Sequence, residues 1–268
     1  MNAYTGFATV YEKFMDNVPY KEWTKYLCGL LKEYNVKEGS LICELGCGTG
    51  TVTRLLKKAG FDMIGIDLSE EMLDIARYDH EEESEGILYL NQDMREFELY
   101  GTVAAVVSIC DCMNYITSEE DLLRVFKLVN NYLDPRGVFI FDMNTIYKYE
   151  TIIGDRVIAE NRDDASLIWE NYYDKETQIN QYDITIYNKV EFEDGDEEDE
   201  ETPLFERYEE THLQKGYTVE KIKELLETAG MEFVAVYGAL TREEPKEDCE
   251  RVYFVAREKK QEGKLYTE

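Results

Sequence analysis

The sequence is short of positive charge. Its 268 residues carry 29 Lys and Arg against 58 Asp and Glu, a formal net charge of −29. A surface this acidic repels nucleic acid and anionic lipid, because phosphate binding relies on Lys and Arg. No basic cluster is large enough to form a local patch, so neither partner is expected. The acidity suits a cationic acceptor or serves solubility alone. Histidine is scarce as well, with only His80 and His212. The six cysteines, at 28, 43, 47, 110, 112 and 249, fit no zinc spacing. Cys43 and Cys47 fall in a strand and its loop, and Cys110-x-Cys112 lacks a second pair, so no metal site is expected. No apolar run approaches the roughly 18 residues that a membrane helix needs. The start, MNAYTGFATVYEKF, has no basic region followed by an apolar segment, so it does not read as a signal peptide. A reduced, cytoplasmic chain is the expectation.

Hydrophobic residues make up 44% and aromatics 13%, enough to bury a substantial core. Tyr4, Phe7, Tyr11 and Phe14 recur at spacings of three and four, which is one stripe of a helix. A second helical pattern runs from Tyr20 to about Tyr34. LICEL (41–45), MIGID (63–67), ILYLN (87–91), VAAVVSI (103–109) and VFIFD (138–142) read as near-continuous apolar strands separated by helical segments. That alternation predicts an α/β fold, a Rossmann-like doubly wound sheet covered on both faces. Asp134-Pro135-Arg136-Gly137 reads as a turn before the fifth strand.

The pattern changes after residue 150. From about Val157 to Glu210 apolar and polar residues alternate, as in QYDITIYNKVEF, which predicts antiparallel strands with one wet face. A helix follows at Thr218–Thr228, then strands MEFVAVYG (231–238) and RVYFVAR (251–257). With those two strands the main sheet reaches seven. Residues 1–150 therefore read as lid helices and the ligand-binding half of the α/β domain. Residues 151–215 read as an antiparallel β insertion, and 216–268 as the domain's last helix and strands. The insertion is expected to shape a pocket or to form a homodimer contact. The acidic run 191–201 reads as a solvated loop in which Asp194-Gly195 turns a hairpin.

Between the first strand and helix stands LICELGCGTG (41–50). Gly46, Gly48 and Gly50 let backbone N–H groups approach a ligand at a helix start. A phosphate-binding P-loop needs Gly-Lys-Ser/Thr, but Thr51-Val52 follows Gly50. The dinucleotide fingerprint G-x-G-x-x-G would need its third glycine one residue later. Glu44 also opposes a pyrophosphate, since like charges about 4 Å apart repel by roughly 4 kcal/mol at an effective dielectric near 20. The loop suits a ligand that presents positive charge.

Glu44-Leu-Gly46-Cys-Gly48-Thr-Gly50 resembles the E/D-x-G-x-G-x-G motif of class I S-adenosylmethionine (SAM)-dependent methyltransferases. GIDLSEEML (65–73) is similar to the family's second motif, with Asp67 23 residues after Glu44. NQDMREF (91–97) is similar to the third, and DPRGVFIFD (134–142) to its turn and fifth strand. The resemblance covers most of residues 40–142. It implies SAM as cofactor, with Asp67 accepting from the ribose hydroxyls, Asp93 meeting the adenine amino group and Met94 packing on its face. Cys47, Leu68, Gln92 and Cys110 fall in the same loops and join Glu44, Gly46 and Gly48 as cofactor-binding candidates.

Cys-Asp-Cys-Met-Asn-Tyr (110–115) resembles a D-S-x-N-Y-L segment of bacterial small-molecule and sugar N-methyltransferases. In the sugar enzymes a His stands about where Tyr115 falls. Asp111, Asn114 and Tyr115 are thus the catalytic candidates; the other reading has Asn114 capping a turn and Tyr115 packed in the core. By the same resemblance Tyr4, Tyr11 and Trp23 would reach the cofactor from an N-terminal lid. The implied activity is methyl transfer to a small-molecule acceptor. The alternative is a SAM-binding protein that acts on or regulates a protein partner.

Overall fold

The computed structural model describes residues 8–190, 203–259 and 264. The first half follows the alternating pattern. Helices α1 (Ala8–Phe14) and α2 (Tyr20–Glu33) precede β1 (Leu41–Leu45), α3 (Thr51–Lys58) and β2 (Asp62–Asp67). Then come α4 (Glu70–Asp74), a π-helical stretch to Asp79, and the short α5 (Glu81–Ser84). β3 (Leu88–Asn91), β4 (Val103–Ser108), α6 (Glu119–Tyr132) and β5 (Leu133–Asn144) complete that half. Serine side chains cap two of these helices. Ser69 Oγ accepts from the Met72 N–H, and Ser118 Oγ accepts from the Asp121 N–H. Acids fill both first turns, where they complement the helix dipole.

The main sheet has seven strands in the order β10-β11-β5-β4-β1-β2-β3. β10 (Met231–Gly238) and β11 (Arg251–Glu258) follow α7 (Val219–Thr228). β11 is antiparallel to both its neighbours, while β5, β4, β1, β2 and β3 run parallel. Alternate residues feed two cores, because side chains of a strand point to opposite faces. Cys43 and Leu45 join Phe126, Phe139, Phe141 and Phe254 on one face. Ile42 joins Leu27, Leu31, Leu56, Val107 and Ile140 on the other. Residues 134–137, read as a turn, instead lie within β5. Leu133 already pairs with Val103, and the register slips before Ala105 meets Val138. The slip gives Arg136 a φ of 68°, and its N–H donates to buried Glu258.

A second, four-stranded antiparallel sheet follows the order β6-β7-β8-β9. Its strands are β6 (Val157–Asn161), β7 (Ala165–Asp174), β8 (Ile179–Lys189) and β9 (Phe205–Lys215). Along β8 buried residues alternate strictly with half-buried ones from Asn180 to Ile186. The inner face packs Leu167, Tyr182, Ile184 and Ile186 against Val10 of α1 and against Tyr115. The acidic run 191–201 and its Asp194-Gly195 turn lie outside the described residues, as do Tyr4, Phe7 and the Tyr11 side chain. Among the described residues no helix is long and apolar enough to cross a membrane, and no cluster of His, Cys, Asp and Glu could hold a metal ion.

Candidate active site

β1 and β4 are adjacent, yet their following helices pack on opposite faces, so a crevice opens beyond their carboxyl ends. The loop after β1 turns there under tight constraint. The N–H groups of Gly46 and Cys47 both donate to the Ile66 carbonyl, tying the loop to β2. Gly46 has a φ of 74°, and a Cβ on it would lie 2.6 Å from Cys112 Sγ. Gly48 differs: its φ is 52°, and a Cβ would meet no atom within 4 Å. Gly46 is therefore filled by the protein, whereas Gly48 presents bare backbone to the crevice.

Asp67 ends β2 and grips both neighbouring loops. Its carboxylate accepts from the Gly48 N–H at 2.7 Å and from the Ser69 N–H at 2.9 Å. Burial pushes this carboxyl up, and the N–H groups of Ser69, Gly48 and Leu68 oppose that push. Asp93 sits after β3, held by Arg95 through hydrogen bonds of 2.9 Å from Nε and 2.5 Å from Nη2. The Arg95 side chain keeps the Asp93 carboxyl below the usual range. Gln92 donates its backbone N–H to the Asp67 carbonyl.

Glu44 corrects the sequence reading. It does not stand as a free charge at the mouth of the loop; it is 2% exposed and accepts a 2.5 Å hydrogen bond from Thr53 Oγ1. Burial raises its carboxyl to about 8, with Thr53 pulling down and Asp67 pushing up. At that value the protonated form prevails at neutral pH.

These loops enclose a cleft of about 310 Å³. Glu44, Gly46, Cys47, Gly48, Asp67 and Leu68 line it, together with Gln92, Asp93, Met94 and Cys110. Tyr115 lines it as well. Trp23 does not line the cleft; Tyr20 does, and Trp23 packs edge-on to Tyr20 at 5.9 Å with the Arg251 guanidinium 5.0 Å over its ring.

Asp111 and Asn114 also stand away from the cleft. Cys110 and Asp111 both have positive φ, 62° and 55°, and buried Asp142 holds this turn. Asp142 accepts from the Asp111 N–H at 2.7 Å and from Arg251 Nη1 at 2.7 Å. The Asp111 carboxylate accepts from Arg251 Nη2 at 2.6 Å and from Gln214 Nε2 at 2.7 Å. Asn114 is 0% exposed. Its amide donates to the carbonyls of Asn144 and Lys215 and accepts from the Asn144 N–H. Both side chains are consumed in joining the two sheets.

Tyr115 alone of the three faces the cleft, and its hydroxyl reaches back into the second sheet. It is hydrogen-bonded to the Tyr182 hydroxyl and lies 3.2 Å from His212 Nδ1. Sequence reading missed Tyr182, His212 and the Arg251–Asp142 pair. The available signal was period two: Glu210, His212 and Gln214 stand on one face of β9.

The cleft fits SAM on its own geometry. Bare backbone at Gly48 permits close approach, Glu44, Asp67 and Asp93 line the cleft, and its basic residue Arg95 is paired with Asp93. Comparisons with known proteins agree. Residues 42–137 match a family described as a methyltransferase domain. A putative methyltransferase of Bacillus subtilis, YqeM, is 34% identical over 260 residues, covering 96% of this chain and 98% of its own. A SAM-dependent methyltransferase from Clostridium acetobutylicum superposes with a TM-score of 0.81 at 25% identity, covering 97% of this chain and 100% of its own. CalS10, a Micromonospora echinaspora amino pentose methyltransferase solved with SAM bound, superposes at 0.70 with 18% identity over 96% of this chain and 98% of its own. Sheet order, glycine loop and relatives converge: this chain belongs to the class I SAM-dependent methyltransferases.

Proposed function

We propose that this methyltransferase acts on a small molecule whose nucleophile is a nitrogen or oxygen, by in-line displacement. The observation that carries this reading is Tyr115, which lines the cofactor cleft and packs against the inner face of the second sheet. An acceptor enclosed there is aligned and shielded from water, which supplies most of the acceleration. Bound SAM supplies an activated methyl on a positive sulfur. The carboxylate of Asp67 takes the ribose hydroxyls, Asp93 and Met94 take the adenine, and Glu44 takes the ammonium end. Cys47, Leu68, Gln92, Cys110 and Tyr20 complete the walls. Asp111 and Asn114 are positioning residues that hold Tyr115. CalS10 is an amino pentose methyltransferase, which supports an amine-bearing acceptor by analogy of fold alone.

Labelled SAM incubated with a metabolite extract, then separated by size, tests the acceptor class. Label in small molecules is expected; label in polypeptides, or none despite SAM binding, overturns the reading.

A pH effect follows from Glu44. Its carboxyl titrates near 8 in the cleft, against an ordinary value of 4.5, so the protonated form prevails at pH 7. A group raised in this way favours the folded state below pH 4.5 and loses that contribution as pH rises through about 8. A bound ammonium lowers the value again, so binding expels a proton and tightens as pH rises toward 8. Calorimetry of S-adenosylhomocysteine binding at pH 7 in buffers of different ionisation enthalpy should show proton release approaching one per site. Glu44→Gln should abolish that release; equal release in both proteins would refute the assignment.

A further inference from the structure

Behind Tyr115 lies a chain of hydrogen-bonding groups that the cofactor site does not use. His212 on β9 is 2% exposed and stacks on Tyr182 at 4.9 Å with 8° between the rings. Its Nδ1 lies 3.2 Å from the Tyr115 hydroxyl, and its Nε2 lies 3.1 Å from Glu210 Oε2. The Glu210 side chain is 7% exposed, so this pair is shielded from solvent on the far side. A carboxylate can only accept, so Nε2 carries the proton and donates to Glu210. In the neutral ring with Nε2 protonated, Nδ1 is the acceptor 3.2 Å from the Tyr115 hydroxyl. The groups facing His212 include Tyr115 from the turn after β4, Tyr182 from β8 and Glu210 from β9 itself.

We propose that Tyr115, His212 and Glu210 form a proton relay that removes the acceptor's proton during methyl transfer. The inference rests on the small-molecule reading above. As the acceptor's lone pair forms its bond to the methyl carbon, the electron pair of the broken carbon–sulfur bond stays on sulfur. The acceptor N–H or O–H proton passes to the Tyr115 oxygen while the Tyr115 proton passes to His212 Nδ1. The imidazolium so formed is paired with Glu210, the arrangement by which an acid orients and stabilises a histidine base. Tyr115 is the catalytic residue; His212 and Glu210 act through it. A relay is needed only for a nucleophile that loses a proton, which selects amines and hydroxyls over thioethers and tertiary amines.

Sinefungin, in which CH–NH₃⁺ replaces S⁺–CH₃, places an amine where the methyl stands. Its affinity, compared with that of S-adenosylhomocysteine, reads the relay without an acceptor. Tyr115→Phe and His212→Gln should each weaken sinefungin roughly tenfold, the loss of one hydrogen bond to a charged group, and leave S-adenosylhomocysteine within about twofold. Equal changes for both ligands, or none for either, would overturn the relay. Failure of the wild-type protein to bind S-adenosylhomocysteine would instead overturn the cofactor site. Nitrogen-15 spectra of histidine-labelled protein give a second readout, since only two imidazoles exist and His80→Gln assigns them. A protonated Nε2 and a bare Nδ1 that shifts in Tyr115→Phe are expected for His212; a proton resident on Nδ1 would overturn the proposal.

Discussion

Asp67→Ala should reduce the affinity for SAM and S-adenosylhomocysteine by at least roughly 100-fold. Hydrogen bonds to a charged group contribute about 1.5–3 kcal/mol each, and two ribose hydroxyls are lost together. The structural cost adds to this. Asp67 also accepts from the N–H groups of Gly48 and Ser69, so alanine leaves both without that partner. Those groups belong to the two loops that wall the cleft, and Ser69 starts α4. Calorimetric titration with S-adenosylhomocysteine measures the loss, and a thermal melt confirms that the variant folds. Unchanged affinity in a folded variant would sink the cofactor assignment.

Arg251→Met should cost about 3–5 kcal/mol of stability, because it strands the buried Asp142 carboxylate without its cation. Asp142 is 0% exposed, and burial already pushes its carboxyl up while Arg251 opposes that. The same guanidinium holds Asp111 on its other nitrogen, in a turn where Cys110 and Asp111 both have positive φ. Urea unfolding measures the effect, and the melting temperature should fall by roughly 10 °C. Combining Arg251→Met with Asp142→Asn should cost less than the sum of the single changes, since the partners share one interaction. Strict additivity, or a loss below about 1 kcal/mol, would show that the pair is incidental. The turn it holds carries Tyr115 into the cleft, so the variant should also lose affinity for the acceptor.

Strand β1 coincides with LICEL, and β10 with MEFVAVYG. Both are legible as apolar runs bounded by polar or glycine signals; β1 is buried on both faces, whereas β10, at the edge of the sheet, is mostly half-buried. The excursion at 134–137 is different. Nothing local tells a turn before a strand from a slip within one; the pairing of Leu133 with Val103 decides it. Trp23 and Tyr20 lie on adjacent turns of α2, and which ring meets the cleft depends on Arg251, more than 200 residues away. Asp111 and Asn114 read as acceptor contacts because they follow a strand end. Their side chains instead point to Arg251, Gln214 and Lys215, none of which is near in sequence.

The sequence by itself determined the doubly wound sheet and the methyl donor. The sheet follows from periodicity within strands and helices; the methyl donor follows from the resemblance of an acid and three alternating glycines, between the first strand and helix, to a methyltransferase motif. Tertiary structure alone decided the state of Glu44, because burial and Thr53 set its charge. It alone brought His212 to Tyr115, 97 positions apart in the chain. A strand of β-sheet records which face is buried, but it does not record what the other sheet presents to that face.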